Sequence, residues 1–467
     1  MGEAGQARNT GGRPSAVTGS RATRGAARPA AVEGTPAPTP VPDADPGMPG
    51  WMPSPLHGPV RLATGQYRSL SKFLGRRSLA RASKAVPRTI MFVGRAVLSG
   101  EVDEAVPRPA ITLGFAAQVA LDEALLAVAM TPSRFPRRAD YHRVSEELAT
   151  ARRQFRRRGW IADPASYHRP PPPLHDADLT RSHGSSLGTS YERITFASGF
   201  TPRPGEPGGD RWRSFEPNHT AAATILRHPG PPRPWVVGVH GFCMGFPITD
   251  FQGLHAELLH KQLGFNVAMP VLPLHGSRRV TMVSGEPFLS FELMNAVHGM
   301  TQAVWDIRRI ITWIRTQDAP SVSVYGVSLG GYIASLLVGL EGGLDRVVAG
   351  IPVSDFPGLF AAHSPRHLQA RSIEHNILGG TAEEIYRVVS PFSFTPKTPR
   401  DSRFVFAGYG DRLATAGQAQ RLWEHWDRPE ICWYPGDHVG YLWSRRVRDF
   451  LRASLGDGTP AALAVGA

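Results

Sequence analysis

The stretch Ser321–Leu337, SVSVYGVSLGGYIASLL, decides the fold class of this chain. Its first half is a β-branched run that predicts a buried strand, and its second half carries apolar residues at helical spacing. Between the halves, residues 326–330 read GVSLG, the G-x-S-x-G pattern of a sharp strand-to-helix turn that exposes a serine hydroxyl above a sheet. Both glycines suit such a turn, because a Cβ there would crowd the neighbouring backbone. Ser328 is therefore the candidate nucleophile.

A second copy of the pattern, GSSLG, occurs at residues 184–188. It follows the polar segment DADLTRSH, which is typical of a loop, and it precedes the strand-like run YERITFASGF that begins at Tyr191. A loop that leads into a strand is the wrong order for a nucleophile turn, which needs a strand before the serine and a helix after it. We therefore predict no catalytic role for Ser186.

Composition limits the classes of protein that the chain can belong to. Its 467 residues suffice for one large α/β domain with additions, and a hydrophobic content of 41% permits a substantial core. The net charge of +13 invites nucleic acid or an anionic membrane, but the cations are mostly arginine and accompany abundant Gly, Pro and Ala. This pattern indicates a compositional bias, so we predict no nucleic-acid partner.

The cysteines and the N-terminus indicate the compartment. Cys243 and Cys432 are the only cysteines, too few for a disulfide framework or a structural zinc site, which favours a reducing environment. The first residues contain no apolar core of a secretory signal. We therefore predict a cytoplasmic protein.

The N-terminal third divides into two predicted parts. Residues 1–50 are rich in Ala, Pro, Gly and Arg and are predicted to form a disordered tail. Residues 51–175 are predicted to form a helical extension that ends in the stiff linker Pro170–Pro173. Within the extension, the basic segment 61–95 could form an amphipathic helix that contacts an anionic membrane peripherally, or an ordinary helix that packs on the domain.

Two further helices are predicted in this extension. Ala110–Met130 is the most apolar stretch of the chain, but Asp122 and Glu123 lie at its middle, where each would be costly in a bilayer. It is therefore predicted to be a buried helix and not a membrane span. The charged segment Glu146–Trp160 is predicted to be an exposed helix.

Residues 190–455 are predicted to form an α/β domain. Apolar runs of strand length alternate there with helical patterns, which predicts a mostly parallel sheet with helices on both faces. The alternation stops over residues 356–402, which we predict to be a small helical insert that forms a lid.

A serine nucleophile needs a base, an acid and donors for the oxyanion. His438 follows the last predicted strand and is the candidate base, and Asp411 ends the preceding strand and is the candidate acid. The N–H of Leu329, next to the nucleophile, and that of Phe242, in the loop after WVVGVHG, are the candidate oxyanion donors. Asp355 ends the strand before that of Asp411 and is kept as the alternative acid.

These motifs together resemble the α/β-hydrolase superfamily over roughly residues 190–455. GVSLGGY around Ser328 and PLHGSRR around His275 look most similar to the dienelactone-hydrolase and prolyl-oligopeptidase-like branches. The resemblance implies an eight-stranded sheet and a serine hydrolase that acts on an acyl carbon. It does not extend to the N-terminal 180 residues, and no β-propeller pattern is present, which counts against an oligopeptidase.

We therefore predict a carboxylesterase-like or lipase-like hydrolase that forms an acyl-enzyme. The predicted substrate is a small-molecule or lipid ester with an apolar acyl group. No cofactor and no metal are predicted. Met244 and His275 are the candidate substrate-binding residues. A peptidase or acyltransferase on the same fold, or a non-catalytic binding protein of this fold, is the alternative.

Overall fold

The computed structural model describes residues 87–92, 106–107, 112–129 and 136–456. The predicted disordered tail, residues 1–50, and the basic segment 61–95 apart from residues 87–92 lie outside the described residues. Peripheral membrane contact by this segment therefore stays a prediction. In the part of the chain that the structure describes, no helix is both long and apolar enough to cross a membrane.

One sheet of nine strands forms the centre of the described chain, in the order β1-β2-β3-β5-β4-β6-β7-β8-β9. The strands are β1 (Thr180–Ser186), β2 (Thr189–Ala197), β3 (Thr220–Leu226), β4 (Trp235–Val239), β5 (Asn266–Pro270), β6 (Val322–Val327), β7 (Val347–Gly350), β8 (Arg403–Gly408) and β9 (Glu430–Tyr434). Strands β4 to β9 pair in parallel, whereas β1, β2 and β3 form antiparallel pairs and β3 joins β5 antiparallel. The predicted α/β-hydrolase fold, with a mostly parallel sheet, is confirmed.

The sheet has one strand more than the eight that were predicted. The additional strand is β1, in a segment that the sequence indicated to be a loop. It pairs with β2 from Thr180↔Thr195 to Ser186↔Thr189, which leaves Leu187 and Gly188 as the hairpin loop. These two residues have φ angles of 50° and 72°, the left-handed conformation that two-residue hairpins favour. The second G-x-S-x-G copy is therefore a hairpin end at the edge of the sheet, and the sheet begins before residue 190.

Helices surround this sheet. They are α1 (Leu113–Ala129), α2 (Arg138–Arg157), α3 (Gly209–Arg213), α4 (Pro247–Gly253), α5 (Leu293–Arg315), α6 (Leu329–Leu340), α7 (Phe356–His363), α8 (Arg366–Glu374), α9 (Gly380–Tyr386), α10 (Ala416–His425) and α11 (Arg445–Leu455), with a π-helical turn at Leu258–Gln262. Short 3-10 turns lie at Pro164–Tyr167, Asp176–Asp178, Glu216–His219, Gly276–Arg278, Glu286–Leu289, Pro391–Ser393, Arg400–Ser402 and Gly440–Leu442.

Strand β6 shows why the central strands are apolar throughout. Val322 and Val324 point into one hydrophobic cluster, which also holds buried residues of α2, α5 and α6. Tyr325 and Val327 point into a second cluster, which also holds buried residues of α11. Side chains alternate between the faces of a strand, so a strand covered on both faces is buried along its whole length.

Helix α2 packs on the domain and is not an exposed helix, so the prediction for Glu146–Trp160 was wrong. Its buried residues Val144, Leu148, Ala151 and Phe155 recur at helical spacing and belong to the same cluster as α5. The charged residues occupy the opposite face, where Arg152 and Arg156 pair with Glu384 on α9. The abundance of arginine concealed an amphipathic pattern.

The predicted helical insert is present as α7, α8 and α9 between β7 and β8. It is anchored on α6 by Tyr332, whose hydroxyl donates to the Val389 carbonyl at 2.8 Å and whose ring lies 4.9 Å from that of Phe356. Because α6 begins directly after Ser328, the insert is attached to the helix that follows the candidate nucleophile.

Candidate active site

Ser328 lies in a sharp turn between β6 and α6, with φ 56° and ψ −114°. A non-glycine residue in this conformation is strained, and such strain persists where the surroundings hold it. A Cβ on Gly326 would lie 2.1 Å from the Gly330 carbonyl oxygen, and one on Gly330 would lie 1.9 Å from the Val239 carbonyl oxygen. Only glycine fits at both positions, which agrees with the steric reason inferred from the sequence.

His438 and Asp411 meet Ser328 at this turn. The Nε2 atom of His438 lies 2.9 Å from Ser328 Oγ, and its Nδ1 atom lies 2.7 Å from Asp411 Oδ2. Asp411 Oδ1 accepts hydrogen bonds from the N–H groups of Leu413 and Ala414, both at 2.8 Å. A carboxylate accepts and does not donate, so Nδ1 carries the imidazole proton and Nε2 is left to accept the serine proton.

The charges around His438 favour its protonated form. Burial by itself lowers the pKa of His438, but the charge of Asp411 and its hydrogen bond raise it, and the charges of Asp122 and Asp437 add to that effect. The net result is a pKa above the ordinary value of 6.5. This environment stabilises an imidazolium, the form that a general base acquires when it takes a proton.

The loop after β4 lies directly against Ser328. A Cβ on Gly241 would be 3.4 Å from Ser328 Cβ, which is ordinary van der Waals contact. His240 fixes this loop, because its Nδ1–H donates to the Gly241 carbonyl at 2.8 Å and its Nε2 accepts from the Leu272 N–H at 3.1 Å. A trans peptide points its C=O and N–H in opposite directions, so this contact also sets the direction of the Phe242 N–H.

The N–H groups of the two candidate oxyanion donors, Leu329 and Phe242, make no hydrogen bond to the described residues. Leu329 is the first residue of α6, where an amide has no partner within the helix. In the described part of the chain, neither the Leu329 N–H nor the Phe242 N–H donates a hydrogen bond to another residue.

Comparison with known proteins identifies relatives. No family model matches the chain. The Mycobacterium tuberculosis proteins MT2702 (strain CDC 1551 / Oshkosh) and Rv2627c (strain H37Rv), both described as uncharacterized, are each 42% identical to it over 359 residues, which cover 76% of this chain and 85% of theirs. The chain belongs to their family.

Solved structures with a similar fold include two hydrolases. Acylaminoacyl peptidase of Pyrococcus horikoshii is 16% identical, with a TM-score of 0.38 over 60% of this chain and 40% of that one. Acetyl xylan esterase 1 of a Thermoanaerobacterium species is 13% identical, with a TM-score of 0.45 over 63% of this chain and 91% of that one.

The alternative acid, Asp355, does not contact His438. Its Oδ1 caps α7 by accepting from the Gly358 N–H at 2.9 Å, and its Oδ2 lies 3.3 Å from Arg421. The hydrogen bond to the His438 ring comes from Asp411.

The two candidate substrate-binding residues have different surroundings. His275 is fully buried, its Nδ1 is bonded to the Pro273 carbonyl at 2.8 Å, and its ring packs against that of Phe288. Contrary to the expectation from the sequence, it does not line an open pocket. Met244 is half-buried, and its sulfur accepts from the Gly241 N–H at 3.3 Å. The tight turn in PLHGSRR directs His275 inward.

Sequence reasoning missed Asp122 as part of this site. Asp122 is 1% exposed, and its Oδ2 accepts from the backbone N–H of both Arg412 and His438. A signal was present, because an acidic residue in an apolar helix needs a buried partner. From the sequence alone, Asp122 argued only against a membrane span.

Proposed function

We propose that this protein is a serine hydrolase that cleaves carboxylic esters through an acyl-enzyme. The observation that carries the proposal is the unbroken chain of hydrogen bonds from Ser328 Oγ through His438 to Asp411, on a turn whose backbone is held in a strained conformation. The same geometry activates serine on unrelated folds, so it is recognised by the roles of the residues.

In the proposed first step, Ser328 Oγ attacks the ester carbonyl carbon while His438 Nε2 takes its proton. The carbonyl oxygen becomes an oxyanion that accepts from the N–H groups of Leu329 and Phe242, each such donor being worth about 3 kcal/mol of transition-state stabilisation. The imidazolium then gives its proton to the leaving alcohol as the C–O bond breaks. Asp411 stays ionised and holds the imidazole tautomer.

In the second step, His438 takes a proton from water as the water oxygen attacks the acyl carbon of acyl-Ser328. Collapse of the second tetrahedral intermediate breaks the bond to Ser328 Oγ, and His438 returns the proton to this oxygen. The acid product leaves, and the enzyme regains its starting state without a cofactor or a metal.

The activity is expected to fall in acid with a midpoint above pH 6.5. His438 acts as a base only when it is neutral, and its pKa is raised from 6.5, mainly by Asp411 acting against burial. The measurement is kcat/KM for an ester between pH 5 and 9. A midpoint below 6.5 would contradict the assignment of His438 as the base in this electrostatic environment.

An apolar acyl group is the proposed feature of the substrate. Phe242, Met244 and Phe246 are half-buried in the loop after β4, whose Gly241 contacts Ser328. This apolar loop borders the nucleophile, where it favours an acyl chain over a charged group, since each buried methylene contributes up to about 0.8 kcal/mol.

We therefore expect kcat/KM to rise from acetyl to hexanoyl esters in a panel of p-nitrophenyl esters. Phe242→Ala keeps the backbone N–H and is expected to flatten the series. Leu187→Ala, which changes an exposed apolar residue in the β1–β2 hairpin, serves as the control and should leave the series unchanged. A flat or falling series in the unmodified protein would instead support a small ester or a peptide as the substrate.

A further inference from the structure

Helix α1 brings a buried carboxylate to the two loops that carry Asp411 and His438. Asp122 Oδ2 accepts from the N–H of Arg412 at 2.8 Å and from the N–H of His438 at 2.9 Å. Arg412 directly follows Asp411 in the chain, and the other donor is the amide of the proposed base itself. One oxygen atom therefore joins the loop after β8 to the loop after β9.

Several contacts hold α1 in this place. The ring of Phe115 lies 5.8 Å from that of Tyr409, and a Cβ on Gly410 would lie 2.6 Å from the Phe115 ring. Glu123, which is 3% exposed, lies 3.0 Å from Arg412. The helix is thus seated on the residues on both sides of Asp411, and Asp122 faces inward because of that seating.

We propose that Asp122 is a positioning residue that holds Asp411 and His438 at hydrogen-bonding distance from each other, so that the N-terminal extension is part of the catalytic machinery. This inference rests on the proposed serine-hydrolase function. A charge-assisted hydrogen bond to backbone N–H is among the stronger ones, and two of them on one oxygen restrict both loops. Small displacements of a catalytic group reduce rates strongly, so this restriction matters for the reaction.

Asp122 also acts through its charge. Burial, with the nearby charge of Asp411, raises the pKa of Asp122 to about 7, against the lowering effects of His438 and of the two backbone hydrogen bonds. When ionised, it raises the pKa of His438. The titratable and charged groups around this cluster are Asp411, Arg412, Tyr434, Asp437 and His438 from the loops and strand ends, Glu123 from α1 and His363 from α7.

Two variants in the full-length chain separate the hydrogen bonds from the charge. Asp122→Asn keeps an oxygen that can accept from both N–H groups but removes the charge, whereas Asp122→Ala removes both. The control is Leu121→Ala, which changes an exposed apolar residue next to Asp122 on the same helix. The readouts are the second-order rate of labelling by a fluorophosphonate between pH 5 and 9, and the Tm.

Asp122→Ala is expected to lower the labelling rate about 10²-fold above pH 8 and, like Asp122→Asn, to move the acid midpoint to lower pH. Asp122→Asn should label at a rate close to that of the unmodified protein above pH 8, but with the acid midpoint moved to lower pH, because a negative charge that favours the imidazolium is gone. Leu121→Ala should leave both the labelling rate and the acid midpoint unchanged.

Unchanged rates and an unmoved midpoint in both Asp122 variants would overturn the inference. It would also be overturned if the labelling rate of both variants fell only in proportion to their loss of Tm, which is the result expected for a residue with a purely structural role. If Asp122→Ala does not fold, Asp122→Ser takes its place, because serine carries no charge and is too short to accept from both N–H groups. Absence of labelling in the unmodified protein, by contrast, would refute the proposed function itself, so the two failures are distinguishable.

Discussion

Replacement of Ser328 by alanine is expected to abolish fluorophosphonate labelling and to lower ester turnover about 10⁶-fold, because the members of such a triad act as a unit. Alanine lacks the oxygen that His438 Nε2 contacts at 2.9 Å, so neither the proton transfer nor the acyl-enzyme can form. The measurements are labelling by a fluorophosphonate probe and kcat/KM for an ester.

Ser186→Ala is the matched control, since Ser186 occupies the same place in a second G-x-S-x-G sequence. It ends an exposed edge strand and pairs with Thr189 across a hairpin. Labelling and turnover are expected to stay at the level of the unmodified protein. Labelling that survives Ser328→Ala would show that another residue is the nucleophile.

The second large effect concerns the acid. Asp411→Asn is expected to lower kcat about 10⁴-fold, because an amide NH₂ group facing Nδ1 favours the imidazole tautomer that cannot accept the serine proton. The present geometry places the carboxylate 2.7 Å from His438 Nδ1. The measurement is kcat for an ester, with thermal unfolding to check that the variant is folded.

Asp355→Asn is the control for this variant. Asparagine also caps helices, and the contact of Asp355 with Arg421 is partly exposed, so the free energy of unfolding should change by less than about 1 kcal/mol. Turnover is expected to stay unchanged. A greater loss of turnover in folded Asp355→Asn than in Asp411→Asn would mean that the acid has been assigned to the wrong strand end.

Much of the fold and of the candidate site could be predicted because the signals are local. The β-branched run before Ser328 and the apolar spacing after it define a strand, a turn and a helix within 17 residues, Ser321 to Leu337. The positions of Asp411 and His438 after successive strands follow from the alternation of elements, since neighbouring parallel strands end at the same edge of a sheet. The structure brings both side chains to Ser328.

Other features depended on contacts that leave a weak local signal. The edge strand β1 shows no alternation of apolar and polar residues, because its residues are mostly exposed. Only its pairing with β2 defines it as a strand. His275 is buried, and its ring lies 5.3 Å from that of Phe288, a contact that no local pattern indicates. The apolar face of the arginine-rich α2 becomes evident only where it packs on the hydrophobic cluster that it covers.

The sequence by itself determined the alternation of strands and helices after residue 190, the serine turn and the two carboxyl-end loops, because each of these follows from side-chain periodicity and glycine placement along a short segment. Only the tertiary structure decided which carboxylates surround His438. Asp122 is 316 residues away from it in the chain, yet its oxygen lies 2.9 Å from the His438 amide nitrogen. No periodicity specifies a contact between segments so far apart, since it forms only when Phe115 and Asp122 of α1 pack against the loops after β8 and β9.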